Sequence, residues 1–298
     1  MPTEASGPET AWPPWSVHWF ACMCALASLN LLLCAKLFFF SSRSVATSTL
    51  SPSFRLCIVF TLVCAFRSYF PTVYLSRACI VDTFLSNILL ARLLAFVGEL
   101  TWMVQVSHSL KQVNRQLENN PAVNKLANGV IFLIACAECF STYATITKNS
   151  LFFTLEEGSW VVAGVTCISP ALVLLVSAFR RRINPLQGRK YIRRYLIVMC
   201  TFMIVYDVWG VTTDVPSNFS RYMDERDTTP SPWLSFKDGL AEVTGSCTLD
   251  RSWETWSGYL LWMTSYFSLG VWSSVALALF TVPEQRGGSK AAAEPLLV

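Results

Sequence analysis

Long apolar runs separated by short polar connections organise this chain. Seven runs read as helices able to span a bilayer: 15–40, 54–69, 80–107, 123–147, 151–179, 191–213 and 256–282. Most approach or exceed the roughly 20 residues that a helix needs to cross the hydrocarbon core. The second is the shortest, carries Arg67 and ends near Pro71, so it is expected to be tilted or broken. The first is about twice as long as the apolar segment of a secretory signal. Residues 1–14 before it hold two Glu and no Lys or Arg, so it reads as a retained helix. The pattern predicts an all-α, multi-pass membrane protein. It has an extracytoplasmic tail 1–14, a seven-helix membrane domain 15–282 with one long polar loop 214–255, and a disordered cytoplasmic tail 283–298.

Composition strengthens this picture and adds direction. Hydrophobic residues make up 53% of the chain and charged ones only 14%, where soluble domains carry about 25% charged residues. The net charge of +4 is unevenly placed. Lys and Arg concentrate after spans one, three, five and seven; between spans five and six lie Arg180, Arg181, Arg182, Arg189, Lys190, Arg193 and Arg194. The loops after spans two and four carry Arg77 and Lys148, and the loop 214–255 is net acidic. Basic residues stay on the cytoplasmic side, so the amino terminus is expected outside and the carboxyl terminus inside. The excess positive charge is thus an orientation signal, and no nucleic-acid partner is read from it. Membrane lipids are the expected surroundings. Asn218-Phe219-Ser220 is a glycosylation candidate in the loop assigned outside.

Eleven Cys are present, most of them inside spans, where they act as small apolar side chains. Cys79 and Cys247 both fall on the side assigned outside, and are a disulfide candidate that would tie the long loop over the bundle. Cys136 and Cys139 have the spacing of a metal pair, but no further ligand is near in sequence, so packing is the better reading. The two His, His18 and His108, are expected in opposite leaflets, which rules out a His-ligated zinc site. No haem or nucleotide site is read either, and neither a P-loop nor a dinucleotide fingerprint occurs.

The informative residues are charges within apolar runs, since each costs about 2.5–3.5 kcal/mol at mid-membrane. They are Arg67, Asp82, Arg92, Glu99, Glu138 and Asp207, with Glu156, Glu157 and Asp214 nearer the outer surface. Arg92 and Glu99, seven apart, share one helix face and are expected to form the central charge pair. Glu138, Ser141, Thr142 and Thr145 make a polar stripe; Met203, Asp207, Gly210 and Asp214 make another; Tyr259, Trp262 and Tyr266 make an aromatic face. Glu156 and Glu157 point about 100° apart, so at most one of them enters easily. Together these stripes predict a polar chamber open to the outside. Excess acid there implies protonated carboxyls or a bound cation. As structural glue, the same charges would simply pair locally.

Sequence alone therefore favours a membrane protein that binds and translocates a small solute, ion or proton through such a chamber. Its expected binding residues are Arg67, Asp82, Arg92, Glu99, Glu138, Asp207 and Tyr266. A rival is an intramembrane enzyme acting on a lipid or lipid-linked substrate, with Glu138 and Asp207 as general acid and base. A third reading is a receptor or structural subunit. Receptor hallmarks are missing: span three ends in Val106-Ser107-His108-Ser109-Leu110, and span seven has no Asn-Pro-x-x-Tyr. Span seven also lacks the Lys of retinal proteins and the Asp that would partner Tyr206-Asp207 in an intramembrane aspartyl protease.

Overall fold

A computed structural model describes residues 12–44, 51–117, 119–180 and 188–279. Residues 1–11, the tail 283–298, and Arg181 and Arg182 of the basic run lie outside the described residues.

Helix starts follow local chemistry. Helix α1 (Pro14–Ser44) and α2 (Pro52–Tyr69) open on proline, whose missing N–H is no loss in a first turn. Ser51 caps α2 by accepting the Phe54 N–H. After α3 (Ile88–Leu117), Asn120 and Pro121 start α4 (Pro121–Thr147), which ends on Lys148 in the left-handed conformation. Asn149 accepts from Leu151 N–H at the head of α5 (Ser150–Arg180). Helix α6 (Gly188–Trp209) runs through a π turn, Gly210–Asp214, into α7 (Val215–Asp227). A short α8 (Phe236–Thr244) precedes α9 (Trp253–Ser265), and a second π turn, Tyr266–Gly270, joins α9 to α10 (Val271–Leu279).

Among the described residues, six helical units are long and apolar enough to cross a membrane: Pro14–Phe39, Ile88–Leu117, Pro121–Thr147, Ser150–Arg180, Ile192–Asp227 and Trp253–Leu279. That is the make-up of an integral multi-pass membrane protein. Large side chains exposed along them, such as Leu32, Phe132, Val205 and Leu261, are apolar, as a lipid-facing surface requires. Helix α2, with Arg55 and Arg67 in eighteen residues, is not one of these six. It packs against α1, α3 and α10. Helices α3, α4, α5 and α6 then pack in sequence order, as short connections between antiparallel neighbours demand.

Polar knots hold the bundle where apolar packing alone gives no register. The fully buried Gln105 of α3 donates to the backbone carbonyls of Ser53 and Ser274 and accepts from the Ser274 hydroxyl, so α2, α3 and α10 are tied. Asn30 of α1 donates to the Phe267 carbonyl inside the second π turn and accepts from Trp272. A π turn displaces backbone carbonyls from their usual partners, and Asn30 supplies a replacement there.

The structure revises two expectations. The segment 214–255 is not one long loop: α7, α8 and a strand occupy much of it. Its polarity had suggested a solvated connection, but a polar helix and a polar loop are alike in composition. Nor does the third apolar run begin as a helix at Ile80. Residues Ala78–Cys79 are a strand, Phe84–Ser86 a 3₁₀ turn, and α3 starts at Ile88 after Asn87 accepts the Leu90 N–H.

These pieces build a cap at one end of the bundle. Strands β1 (Thr72–Val73), β2 (Ala78–Cys79) and β3 (Thr248–Leu249) form a sheet in that order, the first pair antiparallel and the second parallel. The Cys79–Cys247 disulfide joins β2 to the segment before β3. Arg77, buried and at a φ of 56°, donates to the Tyr74 and Ile146 carbonyls. Glu242 of α8 bonds Lys148 at 2.5 Å and lies 3.5 Å from Arg77. Burial opposes its charged form, yet these two cations outweigh it and hold the Glu242 carboxyl below its ordinary range.

Helix α8 lies so close to the end of α4 that a Cβ on Gly239 would stand 2.0 Å from the Ile146 carbonyl oxygen. Gly239→Ala should therefore lever α8 away and cost about 1–3 kcal/mol, the usual range for overpacking. Thermal unfolding of the purified variant checks this; an unchanged midpoint would refute the close approach.

Candidate functional site

A cavity of about 1040 Å³ runs from the cap into the bundle. Its upper part is lined by the β1–β2 turn, Ser217, Asn218 and Arg221 of α7, and Glu254 and Gly258 of α9. Deeper, Trp160 and Gly164 of α5, Phe202 and Met203 of α6, and Met263 form the walls, with Arg67, Arg92, Glu99 and Trp102 among the innermost groups.

The acids and arginines meet in one network. Arg92, on the second turn of α3, bonds the Glu138 carboxylate of α4 and lies 3.9 Å from Glu156 of α5. Arg67 of α2 lies 3.5 Å from Glu99 of α3 and donates to the Tyr74 hydroxyl at 3.2 Å. All five charged groups are buried, Glu138 completely. One oxygen from each of Glu99, Glu138 and Glu156 lies within 4.8 Å of the other two. Four helices thus each contribute a charge to a single place, and none of these groups reaches water by extending outward.

Aromatic rings complete the setting. The Arg67 guanidinium stands 4.9 Å from the Phe267 ring centre and 5.8 and 5.9 Å from those of Trp262 and Tyr266. Ring faces attract a cation and exclude the water that would screen it. The second π turn places Tyr266 and Phe267 here, consistent with the use of such turns at functional positions. Trp102 packs against Phe60, Phe202 and Tyr266 and closes the lower end.

Several polar atoms of this region lack partners. Glu138 Oε1, Arg92 Nε, Thr145 Oγ1 and Tyr266 Oη are buried without a hydrogen bond. The Gln105 knot one face away is fully bonded, whereas Ser107 Oγ, Ser268 Oγ and both Asp207 carboxylate oxygens are likewise without a hydrogen bond among the described residues. Buried unpartnered polar atoms are costly, and those of Glu138, Arg92 and Tyr266 sit at or directly behind the cavity wall.

Three oxygens at this spacing meet the geometric count for a cation. Charge argues against a divalent one, because Arg92 is already bonded to Glu138 and close to Glu156 and would repel it.

The expected site residues separate into two groups. Arg67, Arg92, Glu99 and Tyr266 line the cavity, with Glu138 directly behind them. Tyr259 and Trp262 line it as well. The pairing differs from expectation: Arg92 pairs with Glu138 and Glu156, not with Glu99, whose partner is Arg67. Side chains one helical turn or more apart on α3 reach different neighbours, and cross-helix partners lie closer. Asp207 is outside the lining. Its carboxylate has no partner and packs on α5, where a Cβ on Gly164 would come within 2 Å of it at 1.9 Å. Asp82 is exposed, in the bend before the 3₁₀ turn, because α3 starts later than the apolar run implied. Asn218 lies on helix α7 and lines the cavity, not on a loop.

Sequence reading underweighted Glu156, which sits in the centre of the network, and missed Tyr74, which approaches both arginines. Glu156 had a signal, since its neighbour Glu157 forced a choice of one. Tyr74 lies in a turn, where periodicity carries no information.

No protein-family model matches the chain, and comparison with curated proteins and with solved structures yields no match.

Proposed function

We propose that this is a seven-span membrane protein that takes up a small cationic solute in the cavity and carries it across the bilayer. Helix α2 is the seventh span in this reading, and the cap end, with the amino terminus, faces outside. Two features support that orientation. The Cys79–Cys247 bond suits an oxidising compartment, and the basic run after α5 lies at the opposite end of that helix.

The observation that carries the solute reading is the charge of the cavity lining. Six acids (Glu99, Glu156, Glu157, Asp214, Glu225 and Glu254) face four cations (Arg67, Arg92, Lys148 and Arg221), and Glu138 adds a further acid behind them. Both deep arginines are already engaged by carboxylates, so an anion finds no free partner there. Glu157 and Asp214 line the cavity with no ion pair among the described residues. Trp160 and Tyr206 lie edge to face at 5.9 Å and also line the wall, and aromatic faces beside carboxylates that no cation engages are the chemistry that holds an amine or quaternary ammonium.

Ligand stabilisation tests this directly, since anything that binds the folded state raises its melting temperature. Titrating the purified protein with tetramethylammonium is expected to raise the midpoint, and acetate at equal ionic strength is not. Glu157→Gln should weaken the response by about tenfold, equivalent to about 1.4 kcal/mol. Uptake of the same cation by reconstituted vesicles then reports translocation. Equal or greater stabilisation by acetate would overturn the cationic reading.

A further inference from the structure

The three central acids do not balance their arginines. Glu99, Glu138 and Glu156 would bring three negative charges against the two positive charges of Arg67 and Arg92. In a buried place an uncompensated charge is far more costly than on a surface. One positive charge is missing, and the geometry marks where it belongs. Arg92 occupies one oxygen of Glu138. The other, Oε1, is fully buried and has no donor. One carboxylate oxygen of Glu138 lies within 4.8 Å of an oxygen of Glu99 and of Glu156. Of the three, Glu99 and Glu138 meet carboxyl to carboxyl at hydrogen-bonding contact, and two carboxylates that meet so repel unless they share a proton.

We propose that Glu99 and Glu138 hold one proton between them, making this pair a buried proton-binding site of the membrane domain. The remaining charges facing the pair are accounted for. They are Arg67 of α2, Arg92 of the same helix as Glu99, Glu156 and Glu157 of α5, Tyr74 of the cap turn and Tyr266 of the second π turn. With one proton the three clustered acids carry two negative charges, which the two arginines balance, and Glu157 is left to the cavity wall.

The site is connected as well as buried. Glu99 and Glu156 line the cavity, whereas Glu138 lies behind them. A proton leaving the pair passes from the carboxyl O–H to water in the cavity, and the pair is left with its second negative charge. A solute cation arriving beside Glu156 supplies the positive charge that the departing proton removes. This exchange rests on the cationic reading of the cavity; the proton site itself does not, because it follows from the charges of the five buried side chains.

Infrared difference spectroscopy of the purified full-length protein distinguishes the two. A protonated carboxylic acid has a carbonyl stretch separate from that of a carboxylate. The wild-type protein is expected to retain such a band at neutral pH, and both Glu138→Gln and Glu99→Gln are expected to abolish it. Asp82→Asn, exposed and outside the cavity lining, should leave it in place and controls for folding. Circular dichroism of each variant establishes that the helices persist. No acid band at neutral pH, or a band that survives both substitutions, would overturn the proposal. If tetramethylammonium fails to bind while the band is present, the cationic solute reading falls and the proton site stands.

Discussion

Replacing Arg92 with methionine is expected to cost about 3–5 kcal/mol of stability, the range found when one partner of a buried ion pair is removed. Arg92 is 2% exposed, bonded to Glu138 and 3.9 Å from Glu156. Methionine fills much of the volume, so the loss comes from charge more than from a void. Glu138 and Glu156 would be left in a low-dielectric place, with Arg67 already engaged by Glu99. Lysine would not rescue fully. A compact ammonium cannot span Glu138 and Glu156 as the planar guanidinium does. The measurement is thermal unfolding in one fixed detergent, and the decisive comparison is a double variant. Arg92→Met with Glu138→Gln removes both members and should recover a substantial part of the loss, because the stranded charge is gone. If Glu138→Gln recovers nothing, the ion pair is not what the arginine contributes.

The prediction concerns a network whose members sequence reading had found but had paired incorrectly. Apolar runs gave most of the helices, because a bilayer demands length and apolarity that composition records directly. Charges inside those runs stood out for the same reason, and Arg67, Arg92, Glu99 and Glu138 do converge. Partner choice was not legible. It depends on which faces of α2, α3, α4 and α5 meet, and helical spacing within one segment says nothing of crossing between segments. Asp207 illustrates the limit. Its spacing from Met203 and Asp214 placed it on their stripe, but the π turn at Gly210–Asp214 inserts an extra residue into the register and shifts Asp214 relative to it. Met203 and Asp214 line the cavity and Asp207 packs on Gly164. The cap was hidden for a different reason: its strands are two residues long, and β2 pairs Ala78 with Thr248 and Cys79 with Leu249 of β3, far beyond any local pattern.

That cap is where the second large effect is expected. Replacing Cys79 and Cys247 together by serine should lower stability by about 2–5 kcal/mol, the usual loss for a native disulfide, with long loops at the upper end. The bridge closes a separation of 168 residues, with the two Cα atoms 5.8 Å apart. Without it, the parallel β2–β3 pairing relies on bonds such as Thr248 N–H to the Arg77 carbonyl and Asp250 N–H to the Cys79 carbonyl. The membrane helices have their own packing, so the cap should loosen first. Hydrogen exchange at residues 72–79 and 236–250 is therefore expected to rise before the helical signal changes. Acid should expose this difference further. Glu242 is held charged below its ordinary range, so its ties to Lys148 and Arg77 are complete above the normal carboxylate value and are lost as pH falls through the lowered one. In the wild type the disulfide keeps the cap closed through that range; in the double serine variant the same acid step should open it. A variant whose cap exchange is unchanged at neutral and acid pH would mean that packing of α8 on α4, not the covalent bridge, holds the cavity roof in place.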